Sequence, residues 1–584
     1  MEHQKIYQKK KIVFIGCCFL FCIGAITVRL GYLMVVKSSY YHTLANELHQ
    51  RERNIKAERG IIYDRNGKIL ASNKAVCTVS VIHSQIKEPE AVIKKLSSIL
   101  NIDEKEIRKK VEKVSSREKI KSNVEKEVAD QIRELKLKGV MVDEDYKRYY
   151  PYETLASKVL GFTGGDNQGI IGLEVKYDKE LTGTPGKILT LTDARGVEVP
   201  NVREERIEPI AGNNLRTSLD LNIQTYVEQV AEKTRKLRKA KQVAIIVMNP
   251  QNGEIYAMAN VPEFNLNEPY TLSSELKLLE NGKNKQDLLN KMWRNFNVND
   301  TYEPGSTFKI VTATAGLENG VVKETDTFSC PGFRIVEDRK IRCHKVGGHG
   351  QETFKEGIMN SCNPVFMEVG ARVGIKNMYD QYQKLGLFEK TGIDVPGEAK
   401  SIMHKIKNVK AVELATMSFG QSFQITPLEL LRASSAVVNG GTLITPHFGI
   451  EITSNEGNTV KTLEYPTKKG AVSSKTSDLM KEFLEAVVSD GSGQNGKIEG
   501  FRIGGKTATS EKLPRRNGKY ISSYLGFAPA NDPKVMTLVL IDEPEGAYYG
   551  GVIAAPVVKE VYENILPYLG IKQEFVEDKS KDKK

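Results

Sequence analysis

The sequence predicts a large α/β domain in its C-terminal half, an α+β region before it, and one apolar helix at the N-terminus. Three observations carry this. Residues 243–248 and 255–259 are apolar runs separated by Asn249-Pro250-Gln251-Asn252-Gly253, a hairpin with a buried face. Residues 524–528 and 535–541 read as two further strands, followed by an amphipathic closing helix at 557–566. Mainly helical patterns fill residues 300–470 between these strands. Strands at both ends of a region with helices inside imply one domain of about 330 residues.

The N-terminal element follows from charge. Residues 12–28 carry none, and after Arg29 the apolar run continues from Leu30 to Val36. As a helix, Ile12 to Val36 would reach roughly 37 Å, enough to cross a bilayer. Lys5, Lys9, Lys10 and Lys11 precede it and favour a cytoplasmic N-terminus. Arg29, Leu30, Tyr32 and Leu33 follow where a signal-peptide cleavage site would need small residues, so the run reads as an uncleaved anchor. The chain as a whole, 40 % apolar and 27 % charged, excludes a polytopic membrane protein, a collagen and a largely disordered chain. The excess of Lys+Arg (85) over Asp+Glu (73) is spread along the sequence. It suits an anionic polymer or membrane surface, and no nucleic-acid motif accompanies it.

The expected organisation is a cytoplasmic tail (1–11), a transmembrane anchor (12–36), an N-terminal pedestal (37–235), the catalytic domain (236–570) and a charged tail (571–584). Within the pedestal, Arg59-Gly60-Ile61-Ile62-Tyr63-Asp64-Arg65-Asn66-Gly67 holds a strong turn signal at Asn66-Gly67. Residues 86–150 are rich in Lys and Glu with helical apolar spacing at Val92, Leu96 and Leu100, the pattern of a solvated scaffold. Residues 150–235 mix short strands with Gly-rich turns.

Three separated motifs carry chemistry. Pro304-Gly305-Ser306-Thr307-Phe308-Lys309 begins a helix and sets Ser306 and Lys309 on one face of its first turn. A serine becomes a nucleophile only when a base takes its proton, and a lysine serves as that base only with a depressed pKa. Ser361-Cys362-Asn363 follows, and then Lys506-Thr507-Ala508-Thr509 after the run Ile503-Gly504-Gly505. Their order and spacing resemble the Ser-x-x-Lys, Ser-x-Asn and Lys-Thr-Gly motifs of the serine penicillin-recognising enzymes. Asp300 to Lys309, Ser418-Phe419-Gly420-Gln421 with Thr426-Pro427, and the Arg59 to Gly67 segment resemble class B penicillin-binding proteins, over about residues 1–570.

The resemblance implies an antiparallel sheet flanked by helices, with a helical subdomain, above an elongated pedestal and one membrane helix. It implies a D,D-transpeptidase that joins peptidoglycan stem peptides and is acylated by β-lactams. Ser306 would be the nucleophile, Lys309 its base, Ser361 a proton relay and Asn363 a holder of the peptide amide. Lys506 would keep the potential positive and Lys309 neutral. Thr507 and Thr509 would bind the substrate carboxylate. The backbone N–H groups of Ser306 and Thr509 would form the oxyanion hole, where one donor is worth about 2.7–4 kcal/mol. Ala508 stands where the family has glycine, so its methyl either narrows the groove or is harmless, depending on where it points. No cofactor is required. The region before residue 235 lacks the acidic motif of a glycosyltransferase, so a membrane glycan polymerase is the implied partner, and nucleic acid is not. The rivals are a β-lactamase, for which no deacylating base is identified, and a catalytically weak penicillin-binding scaffold or sensor.

Cys330, Cys343 and His349 have spacing that can close on a tetrahedral zinc, with His344 or Asp338 as the fourth ligand. Neighbours on an extended strand point opposite ways, so Cys343 and His344 would not both ligate. The alternatives are a Cys330–Cys343 disulfide or independent residues. A zinc would be structural, bracing the loop that leads to Ser361. Cys362 reads as packing beneath the site and Cys77 as a lone core thiol.

Overall fold

The computed structural model describes residues 2–41, 50–114, 117–191, 205–282 and 284–574. Helix α1 is Glu2–Gly31, and a wider helical turn at Tyr32–Val36 continues it. The 28 residues Lys9–Val36 form a helix long and apolar enough to cross a membrane, and none of its apolar surface is covered.

Contacts divide the chain into two units. The first comprises Met1–Glu58, Lys74–Lys147 and Thr184–Ile210. In it, helices Pro89–Leu100, Glu104–Val111 and Lys126–Glu134 put Val92, Ile93, Leu96, Ile107 and Ile132 against Val79, Val81 and Ile120. Their Lys and Glu faces stay wet, as the spacing predicts.

The second unit comprises Arg59–Asn73, Arg148–Gly183 and Ala211–Lys584. It therefore takes in two segments that the sequence assigns to the pedestal. Ile62, Leu70, Phe162 and Leu173 of these segments share a core with Leu215 and Ile246, and a buried ion cluster ties the two segments together. Glu174 accepts from Arg59 Nε and Arg148 Nε, each at 2.6 Å, and Arg59 also reaches Asp178 at 2.8 Å. The Asp64 side chain accepts the backbone N–H groups of Asn66 and Lys68, which makes the expected turn.

The second unit is built on five antiparallel strands: β1 (Gln242–Met248), β2 (Ile255–Val261), β3 (Gly504–Glu511), β4 (Tyr520–Ala528) and β5 (Val535–Asp542), in the order β2-β1-β5-β4-β3. The period of two decides its layering. Val243, Ile245 and Val247 enter one core with Val227 and Val230 of α2 (Leu221–Arg238) and with Val558 and Val561 of the closing helix Ala555–Tyr568. Ala244, Ile246 and Met248 enter the other core, with the helical insert. That insert includes α3 (Lys309–Glu318), α4 (Asn363–Lys384), α5 (Pro427–Val438) and α6 (Ser474–Ser489). Strand β3 lies at the sheet edge, so one row of its N–H and C=O groups has no strand partner.

Candidate active site

A short 3-10 turn, Gly305–Phe308, feeds α3. It leaves Ser306 half-buried and Lys309 buried at 1 % exposure. The turn is held from below: Gly305 N–H donates to Gly420 O at 2.9 Å, and Thr312 Oγ1 donates to Ser418 O at 2.9 Å. Gly420 has φ +85, and a β-carbon there would overlap the Gly305 carbonyl, so only glycine fits. This gives the Ser418–Gln421 segment a mechanical role.

The three motifs meet. Lys309 Nζ donates to Ser361 O at 2.6 Å, to Ser361 Oγ at 3.2 Å and to Asn363 Oδ1 at 2.7 Å. From the opposite side, Lys506 Nζ donates to Ser361 Oγ at 2.9 Å. Ser361 adopts a left-handed backbone, φ 53, which brings both its carbonyl and its hydroxyl to the Lys309 ammonium. Such a conformation costs of order 1–3 kcal/mol and marks a residue held for a purpose. Burial lowers the Lys309 pKa to about 8. Burial and then the Lys309 charge push Lys506 well below the ordinary lysine value. Two ammoniums on one hydroxyl repel, so the pair favours losing a proton. A buried amine that can be neutral near pH 8, one turn from a serine, has what a general base for that serine requires.

On β3 the side chains alternate. Lys506, Ala508 and Ser510 turn inward, and their neighbours Thr507 and Thr509 take the other face. The Ala508 methyl is 3 % exposed and lies 3.6 Å from where a β-carbon on Gly305 would stand. It therefore fills the seam between the strand and the Ser306 turn. Thr509 Oγ1 accepts Gly550 N–H at 3.0 Å. Thr507 Oγ1 donates to Ser492 Oγ at 3.5 Å, so Ser492 adds an exposed hydroxyl that the motifs do not announce. Glu303, two residues before Gly305, accepts Ser422 N–H at 3.0 Å and pairs with Arg515. Arg515 comes from the loop after β3 and has no sequence signal, because its partner is 212 residues away.

The cysteines and histidines gather differently from the sequence reading. Donor atoms of Cys330, Cys343, His349 and Cys362 all lie within 4.8 Å of one another. His349 Nδ1 is 3.5 Å from Cys330 Sγ and 3.7 Å from Cys343 Sγ. Two ligands on one tetrahedral zinc would stand roughly 3.5–3.8 Å apart. All four cysteines outside α1 are free thiols, so Cys330 and Cys343 are not joined. Asp338 is not the fourth member. It sits at the tip of the hairpin Phe333–Val336/Arg339–Arg342, 83 % exposed and facing Arg339. His344 is exposed beside Cys343 and stays outside the four. Cys362 takes that place, because the left-handed turn at Ser361 buries the next side chain completely at the start of α4. A hydrogen bond within the pair pulls the Cys343 thiol below its ordinary pKa and pushes that of Cys362 up. Glu352, also buried, lies 3.8 Å from His349 Nδ1 and keeps one oxygen unpartnered.

Comparison with known proteins adds the context. Residues 243–563 match the penicillin-binding protein transpeptidase domain, and residues 54–217 match the penicillin-binding protein dimerisation domain. The chain is 38 % identical to stage V sporulation protein D of Bacillus subtilis, over 98 % of this chain and 88 % of that one. It is 30 % identical to peptidoglycan D,D-transpeptidase FtsI of Buchnera aphidicola, over 98 % of each. Its fold is similar to penicillin-binding protein 2X of Streptococcus thermophilus, with a TM-score of 0.72 and 22 % identity over 90 % of this chain and 83 % of that one. It is also similar to penicillin-binding protein 3 of Mycobacterium tuberculosis complexed with aztreonam, with a TM-score of 0.67 and 22 % identity over 90 % and 98 % of the two chains.

Proposed function

This chain belongs to the penicillin-binding proteins with a transpeptidase domain, of the class B kind, and from that membership we infer that it is a membrane-anchored serine D,D-transpeptidase of peptidoglycan, acylated by β-lactams. The observation that supports the residue roles is the convergence of Lys309 and Lys506 on Ser361 Oγ, with Asn363 accepting from the same Lys309 ammonium, one turn from Ser306.

Lys309, neutral, takes the Ser306 Oγ proton as that oxygen attacks the carbonyl of the penultimate D-alanine. The oxyanion draws on the backbone N–H groups of Ser306 and Thr509. The C–N bond then breaks. The leaving nitrogen takes a proton from Ser361 Oγ, which Lys309 replenishes, and terminal D-alanine departs. An amine of a neighbouring strand attacks the ester, gives a proton back along the same path, and restores Ser306. Asn363 holds the peptide amide, and Thr507 and Thr509 with Lys506 hold the carboxylate. The lysines in the first turns of α1, ahead of its apolar run, support a cytoplasmic N-terminus and an extracytoplasmic catalytic unit. Glycan polymerisation then falls to a separate membrane polymerase. The test uses the full chain in detergent micelles with a pentapeptide ending in D-Ala-D-Ala and an amine acceptor. D-alanine and the new amide are expected, and Ser306→Ala should lower their formation by about 10³-fold or more. Undiminished turnover would overturn the assignment.

We also propose that Cys330, Cys343, His349 and Cys362 hold one structural zinc. The donor spacing and the Cys₃His set support it. Cys362 lies between Ser361 and Asn363, so the metal would fix the second motif without entering the reaction. Metal analysis of protein purified without chelator should find about one zinc per chain, lost in Cys343→Ser and in Cys362→Ser and kept in Asp338→Ala. Finding no zinc would overturn the proposal.

A further inference from the structure

Glu303 stands three residues before Ser306 and is buried at 7 % exposure. A buried carboxylate needs partners for its oxygens, and those of Glu303 go to two different loops. Oε1 accepts the Ser422 N–H at 3.0 Å. Oε2 accepts from Arg515 Nη2, and Nη1 of the same guanidinium donates to the Glu511 carbonyl. Both loops bear on the nucleophile. Residues 418–422 brace the Ser306 turn through the bond from Gly305 N–H to Gly420 O. Ser422 presents its N–H from a left-handed backbone, φ 70, and its hydroxyl is tied to Thr416 Oγ1 at 2.9 Å. Residues 512–519 connect β3 to β4. Lys512 N–H closes the base of that loop on Lys519 O at 2.8 Å, and Lys512 Nζ ties the base to Asp542 at 2.6 Å. Arg515 reaches back from this anchored loop to the Ser306 turn.

The turn and the strand face each other closely. A β-carbon on Gly305 would overlap Ser510 Oγ and stand 3.6 Å from Ala508 Cβ. The oxyanion hole proposed above takes one N–H from each side of this seam, Ser306 from the turn and Thr509 from β3. Thr509 lies two residues before Glu511, whose carbonyl Arg515 holds. Because β3 is the edge strand, no further strand fixes its outer side. Donors stabilise an oxyanion only when they stand 2.7–3.1 Å from it, and a misplacement of about 1 Å can cost about 10²-fold in rate. A guanidinium offers two donors in one rigid plane, so a single side chain can lock the carboxylate of the turn to the carbonyl of the strand.

We propose that Glu303 and Arg515 are positioning residues whose ion pair sets the separation between the Ser306 turn and the end of β3, and with it the spacing of the two oxyanion donors. This rests on the transpeptidase reading. The test follows acylation of the full chain in detergent micelles by nitrocefin in stopped flow, resolved into a non-covalent Kd and a first-order rate. Arg515 is one-third exposed on its loop, so Arg515→Ala removes the pair without emptying a core site. Glu303→Gln keeps an acceptor for Ser422 and gives up the charge. Each should lower the first-order rate by about tenfold or more and leave Kd within about twofold. The double variant should be no more than about twofold slower than the slower single one, because both remove the same strut. The pH midpoint of acylation should stay at its wild-type position, because neither residue hydrogen-bonds to Lys309 or Lys506. A rate within twofold of wild type in Arg515→Ala, losses that multiply in the double variant, a loss confined to Kd, or a moved midpoint overturns the proposal and leaves the transpeptidase reading intact. A wild-type chain that forms no adduct on Ser306 overturns that reading and this proposal with it.

Discussion

In the proposed mechanism Lys309 is the residue on which the chemistry turns. Burial holds its pKa at about 8, and only the neutral amine can take a proton from Ser306. Acylation by a penicillin should therefore rise about tenfold per pH unit below pH 8 and level off above about pH 9. Second-order labelling rates between pH 6 and pH 10 check this; a flat profile, or one still climbing at pH 10, would contradict it. The Ala508 methyl points inward and is buried against the Ser306 turn. Ala508→Gly removes the methyl and loosens the seam, and acylation should change at least threefold for some β-lactam, in the manner of other close-packed sites (roughly 1 kcal/mol). Identical rates across several compounds would show that the methyl is idle. Ser306, Lys309, Ser361, Asn363 and Lys506 are legible in the sequence because each sits in a short motif with fixed spacing. The gathering of Cys362 with Cys330, Cys343 and His349 is not legible. Its direction depends on the left-handed backbone at Ser361, which no local pattern announces.

At the scale of elements, the strands and their order of use were legible and the long-range struts were not. The hairpin read at 243–248 and 255–259 is β1 and β2, and the strand pair near residue 530 is β4 and β5. Burial on both faces makes them continuous apolar runs, which made them visible. The pairing of Glu303 with Arg515, and of Arg59 and Arg148 with Glu174, depends on folded proximity alone. The helix Phe354–Met359, which delivers the chain to Ser361, starts in a capping box between Thr353 and Glu356. Thr353→Ala should cost about 1 kcal/mol and lower the melting temperature by about 2 °C, with a slower penicillin acylation as the Ser361 turn loosens. A thermal melt with an unchanged midpoint would show that the cap carries no weight.

At the scale of the whole molecule, contacts group residues 59–73 and 148–183 with residues 211–584. Buried ions tie residues 59–73 to residues 148–183, and Ile62, Leu70, Phe162 and Leu173 of these segments share one apolar core with Leu215 and Ile246. The apolar helix is independent of both cores, so deleting residues 2–36 should move the protein from the membrane pellet to the soluble fraction. Pelleting that persists would point to a second attachment. The fold's main achievement is to bring residues 309 and 506 to the Ser361 hydroxyl, one turn from Ser306. Peptide mapping of the full chain after reaction with benzylpenicillin tests that most directly. A single penicilloyl adduct on Ser306, absent in Ser306→Ala and strongly slowed in Lys309→Ala, is the result this geometry predicts. An adduct on another residue, or acylation indifferent to Lys309, would contradict it.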